Sequence, residues 1–193
     1  MRKLLLLMIF ASNIINAQET EFTFDSNKGM TDFIVVPVEG KTAPEIYKKI
    51  IEWIKVTYKN PDKVILSTIE NEYIRFEGSS ETLYAVNITM LGKTYYNSKY
   101  QIEISIKDNK YKFDLIGMQN YYPKSQYSAG GWTDNIIFNT NTEKEGLSTF
   151  YKKSGDLKSM WKYLPEVPTY FNDLNKSMFD YIKNLTAKKN NDW

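Results

Sequence analysis

The stretch "YQIEISIKDNKYKFDLIG", Tyr100 to Gly117, constrains the fold more than any other part of the chain. Tyr100, Ile102, Ile104 and Ile106 alternate with polar residues, which is the period of a strand with one buried face. Asp108-Asn109 follows, and Asn accepts the left-handed backbone that a two-residue hairpin turn needs. That turn sets a register in which Ile106 faces Tyr111, Ile104 faces Phe113 and Ile102 faces Leu115. A slip of one residue would turn all of these side chains to the wrong face. Turn and pattern agree, so the chain is expected to be built around an antiparallel hairpin with one apolar side.

The neighbouring segments supply the rest of such a sheet and its cover. Thr31 to Gly40 is β-branched and reads as a strand, with Pro37 marking an edge or an end because it cannot donate to a ladder. Thr42, Pro44 and Glu45 open a helix with a capping box, and Ile46, Ile50, Trp53 and Ile54 form its apolar stripe. Asn60-Pro61 ends it. Val64–Ile69, Tyr73–Gly78 and Leu83–Met90 read as further strands, the first two joined through a turn at Asn71. In Leu83–Met90 the alternation puts Tyr84, Val86, Ile88 and Met90 on one face. After Gly117 the period fails, and 119–156 is expected to be a long aromatic loop. Val167, Phe171, Leu174, Met178, Ile182 and Leu185 then line one face of a C-terminal helix over 166–188, ahead of a frayed tail at 189–193. The expected fold is α+β: an antiparallel sheet of five to six strands, one helix after the first strand, and a long C-terminal helix against the sheet, with Phe171, Leu174, Met178 and Ile182 on Ile102, Ile104 and Phe113. It occupies 31–188 as a single domain after a flexible lead-in at 18–30.

The chain's origin and chemistry are bounded by what begins it and what it omits. "MRKLLLLMIFASNIINA" has a basic start at Arg2 and Lys3, an apolar run from Leu4 to Ala11 and a small residue at Ala17, the order of a secretory signal peptide. The apolar run is too short to span a bilayer, and no later run reaches that length. Removing 1–17 takes away two cations and no anion, so the formal charge falls from +2 to zero. With Arg2 gone, Arg75 is the one arginine left. A neutral, arginine-poor chain has no general attraction for phosphate backbones, and nucleic acid is not an expected partner. Cysteine and histidine are both absent. That excludes disulfides, thiol catalysis, a lipidated cysteine, Ser-His-Asp triads and Cys or His metal sites. No cofactor is implied.

The stretch "EGKTAPEIYKKIIEWIKVTYKNPDKVI", Glu39 to Ile65, with Gly40, Tyr47, Trp53, Tyr58 and Asn60-Pro61, resembles the opening of a bacterial family of exported proteins, a domain of unknown function with a TATA-box-binding-protein-like (TBP-like) fold. The hairpin Tyr100 to Phe113 is similar to that family's closing hairpin, and the resemblance covers roughly 31–118. It implies a TBP-like β-α-β(4–5)-α order. It implies no activity and no functional residues, and the fold name does not make a nucleic-acid binder.

Candidate site residues fall in three groups. Tyr121, Tyr122, Tyr127 and Trp132 stand in "YYPKSQYSAGGWTD", either as a stacking platform for a glycan or peptide or as a lid folded over the core. The lid is the expected arrangement, with Trp132 buried and Gly130-Gly131 turning it inward. Arg75 lies on the polar phase of its strand, as an anion anchor or in an ion pair with Glu77. Glu103 and Asp114 oppose each other in the hairpin register, as a weak cation or acid–base pair or as a solvated pair eased by Lys112. Ser125, Ser128 and the two glycines lack any base to make a nucleophile. The sequons at Asn87, Asn175 and Asn184 carry no weight in the bacterial context that the resemblance implies.

These readings favour an exported, non-enzymatic binding or interaction module of the cell envelope, periplasmic or secreted, whose partner is an envelope protein, glycan or peptide. The alternative is a carboxylate-dependent hydrolase of glycans or peptides. Export predicts a mature chain beginning at Gln18. Intact mass of the exported protein checks this, and a full-length product in the cytosol would contradict it.

Overall fold

The computed structural model describes residues 20–139 and 147–184. The expected leader at 1–17, Leu185 and the tail at 189–193 lie outside the described residues. Two short strands, β1 (Phe24–Asp25) and β2 (Gly29–Met30), precede the edge strand β3 (Phe33–Pro37) and helix α1 (Ala43–Thr57). A single turn, α2 (Pro61–Val64), leads into β4 (Ile65–Ile69). Three long strands follow: β5 (Tyr73–Ile88), β6 (Gly92–Lys107) and β7 (Lys110–Tyr122). Then come β8 (Gly131–Asp134), the turn α3 (Ile136–Asn139) and the C-terminal helix (Glu166–Ile182). The main sheet has six strands in the order β3-β7-β6-β5-β4, with β8 on β7 beyond the end of β3, and every pairing is antiparallel.

The central hairpin has the register its sequence dictates: Ile106 pairs with Tyr111, Ile104 with Phe113 and Ile102 with Leu115. Asn109 adopts φ 64° in the turn. The turn also reaches outside its own strands. Asn109 Oδ1 accepts from the Gly40 N–H at 2.9 Å, and the Asn109 N–H donates to the Lys41 carbonyl at 2.8 Å. Asp108 Oδ1 accepts from the Ala43 N–H at 2.7 Å and so satisfies one of the orphan donors that begin α1. Thr42 donates its N–H and its hydroxyl to Glu45 Oε2, at 2.9 and 3.0 Å. The Thr42 backbone bond, more than any other contact, holds the Glu45 carboxyl below its ordinary pKa.

Helix α1 and the C-terminal helix cover the apolar face. Ile46, Ile50, Trp53 and Ile54 are buried, as are Val167, Phe171, Met178 and Ile182. Trp53 Nε1 donates to Ser177 Oγ at 3.2 Å, tying the two helices together. The lead-in is part of this core, contrary to the expectation of a loose segment. Phe22 is buried, with its ring 5.6 Å from Phe113 and 6.1 Å from Phe171. Asn172 clamps its backbone by accepting from the Phe22 N–H at 2.7 Å and donating to its carbonyl at 2.9 Å.

Three strand limits differ from the sequence reading, each for a local reason. Tyr73–Gly78 and Leu83–Met90 are one strand, β5, interrupted by a register shift between Ser80 and Tyr84. Met90 does not share a face with Tyr84 and Val86. It sits in the β5–β6 turn at φ 76° and is almost wholly exposed. Strand β7 runs on through Gly117 to Tyr122, because a bulge between Gln101/Gly117 and Ile102/Leu115 inserts Ile116 and shifts the inward phase from odd to even positions. Thus 119–156 is not one long loop. It holds the end of β7, β8 and α3.

Gly78 shows how tightly the inner face is filled. A Cβ there would lie 2.4 Å from the Tyr100 hydroxyl, so only glycine leaves room for that ring. The Tyr100 hydroxyl joins Tyr58 and Tyr170, each at 3.1 Å. Burial, more than the neighbouring phenols, pushes the Tyr100 pKa far up, and burial likewise raises Tyr58, Tyr84 and Tyr111. An unfolded chain would ionise these phenols near pH 10, whereas the folded chain keeps them neutral. Their contribution to stability is therefore complete below about pH 10 and is lost as pH rises above it. Urea titrations from pH 7 to 11 should show a flat stability to about pH 9.5 and then a steep fall, with phenolate absorbance appearing together with unfolding. Ionisation of all tyrosines near pH 10 without loss of structure would contradict this.

Candidate functional site

The sheet face turned away from the helices carries the chemistry. From β5 it presents Tyr73, Arg75 and Glu77; from β6, Tyr95, Asn97, Lys99, Gln101, Glu103 and Ser105. Lys112, Asp114, Gln119 and Tyr121 follow from β7, and Trp132 and Asp134 from β8. None of these is buried.

The aromatic segment divides between two faces. Tyr121 and Trp132 are cross-strand partners on the open face, with their rings edge to face at 5.5 Å. They are 42% and 45% exposed, and the Lys99 ammonium lies 5.1 Å from the Trp132 ring. Trp132 is therefore not the buried anchor of a lid. Gly130 and Gly131 do take positive φ, 72° and 112°, but the bend leads into β8 rather than turning the chain into the core. Tyr122 points the other way, toward Tyr96, with ring centroids 4.9 Å apart. Tyr127 is 90% exposed at the tip of the connection and joins neither group. Ser125 and Ser128 bridge each other through their backbones, and their hydroxyls accept from the Tyr127 and Gly130 N–H groups. They build a turn, not a nucleophile.

Beside Trp132 the bulge leaves Gly117 facing outward with no side chain. The depression above it is a cleft of about 170 Å³ with Glu77, Lys99, Gln101, Gln119 and Asp134 at its sides. A Cβ on Gly117 would meet nothing within 4 Å. Gln119 Nε2 donates to Asp134 Oδ1 at 2.7 Å, and Gln101 Nε2 donates to Glu77 Oε2 at 2.9 Å. Beyond Tyr121 a second cleft of about 570 Å³ opens where β6 and β7 part, lined by Tyr95, Tyr96, Tyr121 and Tyr122. The sequence reading missed Lys99, Gln101, Gln119, Asp134 and the Tyr95-Tyr96 pair. Carrying the alternation back through "GKTYYNSKY" would have found Tyr95, Lys99 and Gln101, whereas Gln119 and Asp134 lie past a bulge that the alternation does not announce.

Arg75 is on the same face but belongs to an internal network. Its guanidinium donates to Gln101 Oε1 at 2.6 Å and pairs with Glu103 at 3.8 Å. The ion pair expected with Glu77 is replaced by this relay through Gln101. Glu103 and Asp114 do oppose each other, but each has its own cation: Arg75 for Glu103, and Lys112, in a short contact, for Asp114. No group of three or more carboxylates suited to a metal ion occurs among the described residues.

The sheet, its two helices and the open face define an α+β domain of TBP-like class. The model of DUF4468, a domain of unknown function with a TBP-like fold, matches residues 34–120, which bears out the resemblance read from the residues. Two solved structures share the fold. A TBP-like protein from Parabacteroides distasonis ATCC 8503 is 16% identical with a TM-score of 0.51, over 79% of this chain and 91% of that one. A DUF4468 family protein from Bacteroides ovatus ATCC 8483 is 14% identical with a TM-score of 0.50, over 88% and 90%. At these identities the likeness shows the fold alone. No curated protein matches the chain.

Proposed function

We propose that this chain is an exported, non-enzymatic binding module of the cell envelope, and that it takes a glycan or peptide on the open sheet face at Tyr121 and Trp132. One observation carries the reading: an exposed edge-to-face aromatic pair stands on paired strands beside a cleft rimmed by amides, carboxylates and an ammonium group. Aromatic rings held by a strand ladder offer contact area at little cost in side-chain entropy, and the polar rim supplies directional hydrogen bonds. Arg75 serves this site indirectly, by orienting Gln101 at the cleft's edge. The hydrolase reading is weaker, because Glu103 and Asp114 are each paired with a cation and neither is poised as a free acid or base.

Gly117→Leu tests the site without disturbing the core, since the new side chain enters open space. Folding stability should change by no more than about 1 kcal/mol. In a panel of envelope glycans and peptides followed by the Trp132 indole NMR signal, ligands that shift the wild-type signal should no longer do so in Gly117→Leu, and Trp132→Ala should lose binding measured by calorimetry. A ligand bound equally by all three proteins would place the site elsewhere.

A further inference from the structure

The far end of the open face holds an arrangement that the aromatic site does not use. Lys107 and Lys110 are directly opposed across the β6–β7 pair, the last pair before the turn. Lys112 stands two residues further along the same face of β7, opposite Ser105. Like charges set opposite each other in a ladder destabilise it. Here the repulsion is not relieved from within. Among the described residues neither Lys107 nor Lys110 has an ion pair. The carboxylates close by in sequence are engaged: Asp108 with the Ala43 N–H, Asp114 with Lys112 and Glu103 with Arg75. Lys107, Lys110 and Lys112 line a cleft of about 370 Å³ with Ser105, Val35 and Tyr111, the Lys112 ammonium being shared with Asp114. Val35 pairs with Lys112 and Pro37 with Lys110, so the edge strand walls the cleft on its outer side.

We propose that this corner is a binding site for a phosphoryl group. Lysine ammonium groups act as compact point charges with rotatable donors and suit a tetrahedral oxyanion with several acceptor oxygens. A phosphate in the cleft would offset the repulsion between Lys107 and Lys110 and accept a hydrogen bond from Ser105. The whole chain without its leader is formally neutral, so the attraction is local. It acts over about one Debye length, roughly 8–10 Å, and weakens with salt. The phosphoryl group is carried either by a soluble molecule or by a lipid headgroup; the lysines recognise the chemistry common to both.

The test uses the chain without its leader and two probes: inorganic pyrophosphate, and phosphatidylcholine vesicles with and without phosphatidylglycerol. Pyrophosphate should shift the side-chain NMR signals of Lys107 and Lys110 saturably, while sodium chloride at the same ionic strength should not. A Lys107→Gln/Lys110→Gln variant should bind at least about tenfold more weakly, because two charge-assisted contacts are lost. It should also melt no lower than the parent, because a repulsive pair has gone. A Lys48→Gln/Lys55→Gln variant, with the same charge removed from the exposed side of α1, should bind like the parent. Binding to pyrophosphate alone would assign a soluble phosphoryl ligand, and binding to the anionic vesicles would assign headgroup phosphates; either supports the site. Absence of saturable binding to both probes, or equal weakening in the two double variants, would overturn it.

Discussion

The two-residue turn Asp108-Asn109 is the constraint on which the rest of the structure depends. Its left-handed Asn109 sets the β6–β7 register, and that register decides which side chains can meet the helices. The same two residues fasten what comes before them in the chain. Val38 donates to the Asn109 carbonyl, Gly40 to its side chain, and Ala43 to Asp108. One turn therefore fixes a strand register, the exit of the edge strand β3 and the start of α1. These are contacts between parts of the sequence more than sixty residues apart. The Thr42–Glu45 capping box is a local feature, but the donor that Asp108 satisfies is supplied by the tertiary fold.

Once the register is set, the two faces diverge, and two glycines mark the difference. Gly78 faces inward, where the Tyr100 ring fills the space a side chain would need. The buried phenol of Tyr100 is satisfied by the half-buried hydroxyls of Tyr58 and Tyr170 at the edge of an apolar layer, which removes most of the penalty for burying it. Gly117 faces outward, and nothing fills its place. The bulge next to it delivers Gln119 and Tyr121 to the open face alongside Trp132 and Asp134 of β8. The inner face is closed by packing, while the outer one keeps charged networks, exposed rings and clefts.

Much of the fold was legible because local and long-range signals agreed. The apolar stripe from Ile46 to Ile54, the capping box at Thr42 and the Val167-to-Ile182 stripe each give one answer, and the structure has it. The hairpin pairing was readable to the residue for the same reason. What escaped was every place where a strand breaks its own period. The bulge at Ile116 moves the buried positions from Leu115 to Met118, so the alternation breaks where the strand in fact continues. Gly78, Ser79 and Ser80 look like a turn, yet they lie inside β5, because Gly78 is demanded by Tyr100 and not by a bend. Phe22 sits in a polar stretch, and only its three-dimensional neighbours Phe113 and Phe171 reveal its burial. For the site, Glu103 opposite Asp114 was readable from the register. Trp132 was placed wrongly because β8, which holds it on the open face, forms only once β7 has been extended past the bulge.

The cleft over Gly117 and the Tyr121–Trp132 pair exist only because the phase changes along β7. The chain has no cysteine, so single cysteines placed along the strand report their own exposure without background. Thiol labelling of folded variants at Lys112, Asp114, Leu115, Met118, Gln119, Asn120 and Tyr121 reads it out. Fast labelling should occur at 112 and 114, then at 119 and 121, with 115, 118 and 120 protected. Fast labelling that continued at the even positions 118 and 120, with 119 and 121 protected, would mean an uninterrupted strand and would contradict the open-face site.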